Sequence, residues 1–137
     1  MNYDKIVNIK NIKDITINGK LKYNLNKPID IYNNNYLFHY LINNNNIKIL
    51  DKYDYPIYNF NNDNLDGIML AAKNNSKETL EYLLLRFPDY IYNTNKFNNN
   101  WLHYLASPKL IKYFLFNKKF KNINWSMLLY QYNINKE

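Results

Sequence analysis

The chain has 137 residues, 18 Lys and Arg against 11 Asp and Glu for a net charge of +7, and no Cys. That length fits a single modest domain, the missing Cys excludes disulfides and thiolate metal sites, and no apolar run is long enough to span a bilayer. Asn alone supplies 29 residues; its company of Ile, Lys and Tyr is what AT-rich coding delivers, and recurrent aliphatic and aromatic side chains argue against disorder or a prion-like tract.

Residues 1–30 form an N-terminal extension. Met1 to Lys13 lacks the apolar centre of a signal peptide, so the expected location is intracellular, cytoplasmic or nuclear. Ile15 to Tyr23 alternates in character around Asn18-Gly19, which predicts a type I′ β-hairpin over about 14–24. Its expected role is to cover the open end of a stack of helices formed by the rest of the chain. Pro28 breaks any continuing strand.

In residues 31–56, Leu37-Phe38-His39-Tyr40-Leu41-Ile42 predicts a helix, Asn43 to Asn46 a turn, and Ile47-Lys48-Ile49-Leu50 a second helix, together spanning about 36–50. Tyr53 to Asn61, with Pro56, is an extended connection. In residues 57–90, Asp66 is a helix N-cap, and Ile68, Met69, Ala71 and Ala72 make a narrow helix. Asn74-Asn75 supplies the stop. Ser76 or Lys77 then opens a helix whose Leu80, Leu83 and Leu84 share one face. Such short pairs need neighbours to bury their apolar faces, and copies are present.

Ile57-Tyr58-Asn59-Phe60-Asn61 recurs thirty-four residues on as Ile91-Tyr92-Asn93-Thr94-Asn95. In residues 91–122, Asn100-Trp101-Leu102-His103-Tyr104-Leu105-Ala106 stands where Asp66-Gly67-Ile68-Met69-Leu70-Ala71-Ala72 stood. Leu110, Ile111, Phe114 and Leu115 replace the leucine stripe, and Ser107-Pro108 ends one helix and starts the next. Residues 123–137 read as a partial closing unit, with Ser126 capping a last helix through Tyr130 and Asn133 to Glu137 as a frayed tail.

The central stretch resembles the ankyrin repeat. That family's Asp-x-x-Gly-x-Thr-Pro-Leu-His-x-Ala-Ala pattern is matched at Ala71 and Ala72, with Asn75 in place of a Gly, and then at Glu78, Leu80, Leu83 and Leu84. Thr-Pro-Leu-His itself is replaced by Asp66-Gly67-Ile68-Met69 and Asn100-Trp101-Leu102-His103. Met69 lacks the hydrogen bond a His makes there, and the unit around His103 is about three residues short. The resemblance implies a mainly α fold, a short ankyrin-like stack of about three repeats with degraded ends (31–56, 57–90, 91–122 and part of 123–137). The composition and truncated repeats look like those of ankyrin proteins from large AT-rich DNA viruses. The resemblance also implies a binding scaffold, with a protein as partner and a monomer as the working form.

His39 and His103 occupy equivalent places, so each is expected to satisfy backbone groups between repeats rather than serve a metal or catalytic pair. Asp63 lies in a loop and Asp66 has a cap to make, so a general acid/base pair is not expected. Gly19 and Gly67 are too far apart for a phosphate loop. No catalytic, cofactor-binding or metal residue is assigned, and no enzyme is expected.

On the scaffold reading, the contact candidates are Tyr58, Phe60 and Asn62 on one turn tip and Tyr92, Thr94 and Lys96 on the next. Leu65, Lys73, Asn99 and Ser107 would line a helix face. Abundant Tyr packing between tips is the competing account of Tyr58 and Tyr92. From Tyr90 to Lys136 there is no acidic residue and there are seven lysines. Lys109, Lys112, Lys118, Lys119 and Lys121 define a basic face interleaved with Trp101, Tyr104, Tyr113, Phe116, Phe120 and Trp125. Three readings fit it: a solvated surface, a site for an acidic protein, or a nucleic-acid site using phosphate neutralisation and stacking. Arg86 is the sole Arg, so bidentate phosphate recognition is not built in.

Overall fold

Helices and a single two-stranded antiparallel sheet carry the ordered structure in the computed structural model, which describes residues 9–136. The first eight residues of the expected extension, and Glu137 of the expected tail, lie outside the described residues. Two compact units divide at Gly67 and Ile68, and each is taken in turn.

In the first unit, a 3₁₀ turn (Ile12–Asp14) leads into β1 (Thr16–Ile17) and β2 (Lys20–Leu21), with Thr16 opposite Leu21 and Ile17 opposite Lys20. Asn18 at φ 54° and Gly19 at φ 79° form the turn. Paired positive φ values match the right-handed twist of the flanking strands, so the expected hairpin is present. Asn44 and Asn46 donate from their side-chain amides to the carbonyls of Ile9 (3.5 Å) and Lys10 (3.2 Å). These bonds fasten the segment before the hairpin to the turn joining α1 (Leu37–Asn43) and α2 (Ile47–Leu50).

Helix α1 is buried at six consecutive residues, Leu37 to Ile42. A helix apolar all round is a core element rather than a surface one, and His39 and Tyr40 need internal partners as a result. Asn45, at φ 54°, reverses the chain, and the Asn46 side chain accepts from the Ile49 N–H at 3.2 Å to start α2. At the end of this unit the Gly67 N–H donates to the Ile57 carbonyl at 2.7 Å. A Cβ on Gly67 would sit 3.0 Å from the Ile57 Cβ and 3.1 Å from the Ile42 Cδ1. The close approach favours glycine, since any larger residue would need Ile57 and Ile42 to give way.

The boundary falls at the opening of α3 (Gly67–Lys73), which is followed by α4 (Lys77–Arg86). Asn75 at φ 51° lets its own N–H and that of Ser76 turn back to the Ala72 and Ala71 carbonyls. That arrangement ends the helix in the left-handed manner expected of Asn74-Asn75. Leu80, Leu83 and Leu84 are buried together, as their spacing predicts.

The next unit of the pattern is abbreviated. Trp101–Tyr104 makes one 3₁₀ turn where α1 and α3 make seven residues of α-helix. Leu105 is extended, and the chain runs straight into Ser107, whose Oγ accepts from the Leu110 N–H at 3.3 Å. Pro108 occupies the first turn of α5 (Pro108–Phe116), where its missing N–H costs nothing. The three absent residues thus remove a turn of helix and the left-handed reversal.

The last helix, α6 (Trp125–Lys136), corrects two expectations. Its cap is Asn124, whose Oδ1 accepts from the Met127 N–H at 3.1 Å, so Ser126 lies inside the helix. The helix also continues through the expected tail to Lys136. Tertiary anchoring explains this better than propensity does. Leu128 is fully buried, and the carbonyls of Leu128 and Gln131 are engaged by Asn100 and His103.

Candidate interaction surfaces

One loop geometry recurs before α1, before α3 and before the Trp101–Tyr104 turn. Asn61 accepts at Oδ1 from the N–H groups of Asp63 (3.0 Å) and Leu65 (3.1 Å), and its own N–H donates to the Leu65 carbonyl. Asn95 repeats the pattern with Phe97 (3.0 Å), Asn99 (3.2 Å) and the Asn99 carbonyl. Asp30 uses its carboxylate in the same way, accepting from Tyr32 at 3.0 Å, in a loop one residue longer that closes as a bridge to Asn35. In each loop an Asn three residues before the helical segment is left-handed: Asn34, Asn64 and Asn98, at φ 56°, 61° and 59°. A side chain that binds its own backbone two residues on, plus a residue tolerant of positive φ, gives a tight loop without glycine. Here the Asn-richness has a structural use.

Within the first unit, the loops 30–35 and 61–65 are also tied to each other. Asn62 donates from its N–H to the Asn33 carbonyl (2.9 Å) and from Nδ2 to the Tyr32 carbonyl (2.7 Å). Asn34 donates to the Asn62 side chain (3.1 Å), and Asn61 to the Asn35 side chain (2.9 Å). Burial raises the Asp30 pKa, but the Tyr32 and Asn33 N–H groups and the Tyr40 hydroxyl outweigh it, leaving the carboxyl below its usual value. On this braced loop Ile31 and Tyr32 are 81% and 82% exposed. In the second unit Phe97 is 56% exposed at the corresponding tip, with the Lys96 ammonium 5.3 Å from its ring centre.

Both histidines hold backbone groups, as expected. Tyr36 donates its N–H to His39 Nδ1 at 2.9 Å, which fixes the proton on Nε2, from where it goes to the Leu65 carbonyl at 3.0 Å. His103 receives the Asn100 N–H at 2.9 Å and reaches the Gln131 carbonyl at 3.3 Å. Burial pushes the His39 pKa down to about 4, and that of His103 down in the same direction.

The sequence-derived contact residues differ in exposure and bonding within their own units. Asn62 is at a tip, but it is engaged in the loop network. Tyr58 is exposed and Phe60 half-buried, both preceding the 61–65 loop rather than forming its tip. Tyr92 accepts from the Asn124 N–H at 2.7 Å, bracing the entry to α6, and Thr94 is half-buried. Lys73 and Lys96 are exposed. Leu65 is buried and presents its carbonyl to His39, Asn99 closes its loop onto Asn95, and Ser107 caps α5. The tips lie about three residues beyond the positions read from the Ile-Tyr-Asn repeat. Ile31, Tyr32 and Phe97 are the exposed side chains on these loops, and each comes just after an Asp or Asn of the kind that signals an Asx-braced turn.

On the basic half, Lys109, Lys112, Lys118, Lys119 and Lys121 are all exposed. Glu81 bonds Lys119 Nζ at 3.4 Å and the Tyr113 hydroxyl at 2.9 Å, while Lys77 lies 4.0 Å from the Tyr113 ring centre. Of the interleaved aromatics Trp101 and Phe120 are buried, as is neighbouring Phe114, and the half-buried Trp125 donates its indole N–H to the Phe120 carbonyl. Tyr104 receives the Asn95 amide at 2.7 Å. Phe116 is the exception, 78% exposed.

Among the described residues no helix is long and apolar enough to cross a membrane. No family model, curated protein or solved structure matches this chain.

Proposed function

We propose that this chain is a non-enzymatic protein-interaction module whose helix pairs form a short ankyrin-like stack with the N-terminal hairpin over one end. Recurrence of the loop, its left-handed Asn and the His-to-carbonyl bond supports that architecture. The reading of function rests on one observation: two large apolar side chains, Ile31 and Tyr32, stand more than four-fifths exposed on a loop immobilised from both sides. Exposed apolar residues on rigid backbone bind at low entropic cost, which is what a partner-contacting tip requires. Like the viral ankyrin proteins that the sequence resembles, the module acts inside a cell, as a monomer, on a host protein.

The test is capture from nuclease-treated lysate with the native chain and an Ile31→Ser/Tyr32→Ser variant of unchanged melting temperature. The expected result is a nuclease-resistant protein partner lost with the variant. Retention of every captured protein by the variant, or capture that nuclease abolishes, would refute it.

A further inference from the structure

The exposed side of α5 carries a surface that the tip reading does not use. Lys109, Lys112 and Phe116 fall at i, i+3 and i+7, within about 60° of one another around the helix, and all three are exposed. Lys118 and Lys121 extend the positive charge into the next turn. Tyr113, held by Glu81 and covered by Lys77, borders this stripe, and Glu81 pairs with Lys119. No acidic residue occurs between Asp89 and Glu137, so the sequence supplies no carboxylate from this half to neutralise these lysines.

We infer that this lysine–phenylalanine stripe is a second docking surface, fitted to an acidic protein segment that carries an apolar side chain between its carboxylates. Charge complementarity selects acidic partners. The choice between protein and nucleic acid depends on where the aromatic rings are. A single-strand site needs several rings facing outward so that successive bases can stack. Trp101, Phe114 and Phe120 are buried, Trp125 and Tyr104 are hydrogen-bonded within the fold, and Tyr113 is covered by Lys77. Phe116 is exposed on this helix face, whereas Phe97 and Tyr130, also exposed in the basic half, lie on the 95–99 loop and on α6; one ring among the lysines of α5 fits one apolar anchor on a partner. The basic half contains no Arg, so the planar forks that favour phosphate are also missing.

The experiment measures binding by the full chain to three probes at low and moderate salt: a Glu–Tyr copolymer, poly-Glu and an oligo-dT strand. The copolymer should bind best. Lys109→Glu/Lys112→Glu should weaken it roughly tenfold, and Phe116→Ser roughly fivefold, at unchanged melting temperature. Added salt should weaken what remains. Poly-Glu binding as tightly as the copolymer would overturn the inference by removing the apolar anchor. Oligo-dT binding as tightly, indifferent to Phe116→Ser, would assign the face to nucleic acid instead. Failure of all three probes would leave a solvated basic surface and refute the proposal. None of these variants touches Ile31 or Tyr32, so the result stands or falls separately from the tip reading.

Discussion

His39 and His103 make the same pair of bonds in different settings. Each accepts from the N–H three residues before it and reaches a carbonyl 26 or 28 residues ahead. His39 does so from a seven-residue helix with its ring 4.0 Å from that of Phe38, whereas His103 does so from a single 3₁₀ turn and stays half-buried. The bond pair therefore depends on the step from cap to imidazole and on the incoming carbonyl, not on the length of the helix. Burial is what differs, and burial sets both energetic weight and titration.

The largest test of that difference is deletion of each ring. His39→Ala leaves two polar backbone groups without their partner and a cavity beside Phe38, and should cost about 3–4 kcal/mol. His103→Ala, open to water, should cost about 1 kcal/mol. Equal losses in urea melts would break the comparison.

Acid should separate the two sites in the same sense. The folded pKa of His39, about 4, lies below the ordinary 6.5, so the unfolded chain takes up the proton first as pH falls. The stabilisation is complete above about 6.5 and is lost progressively down to about 4, roughly 3 kcal/mol in all. In His39→Gln that slope should vanish, while His103→Gln should keep most of it. Asp30, whose pKa is lowered, loses its contribution only as pH falls below the ordinary carboxylate range, so the windows are distinguishable.

A smaller effect concerns the contact that α1 makes through Ile42. Gly67→Ala would press a methyl against Ile57 and Ile42 and should cost about 2 kcal/mol. A neutral result would show that the Ile57 loop yields easily. Smallest are the left-handed asparagines: Asn75→Ala should cost about 1 kcal/mol, while Asn75→Gly should be near neutral. Thermal melts of the pair decide whether φ, rather than the amide, is what the position needs.

The helix pairs, the Asn18-Gly19 hairpin and the Leu80–Leu84 stripe were legible because each has a local cause: a period, a turn dipeptide or a cap. The extent of helix α6 is not legible in the sequence because its carbonyls at Leu128 and Gln131 are held by residues 28 positions back, which no local rule reports. The loop tips lie beyond the Ile-Tyr-Asn repeat for another reason. With Asn so frequent, nearly every stretch reads as a turn, and only the side-chain bonds of Asp30, Asn61 and Asn95 pick the real ones. Burial of the C-terminal aromatics was hidden too. In α5 only Phe114 is fully buried, so the interleaving of Lys and aromatic residues in sequence did not survive as interleaving on the surface.

The claim that the braced tips meet a protein partner is tested most directly by site-specific photocrosslinking. A photoreactive phenylalanine analogue would replace Tyr32 on the loop or Leu85 on α4, the latter 51% exposed within a helix. Crosslinks to a discrete protein from position 32, weak or absent from position 85, are the predicted result. Equal labelling from both positions, or crosslinks from position 32 to nucleic acid alone, would contradict it.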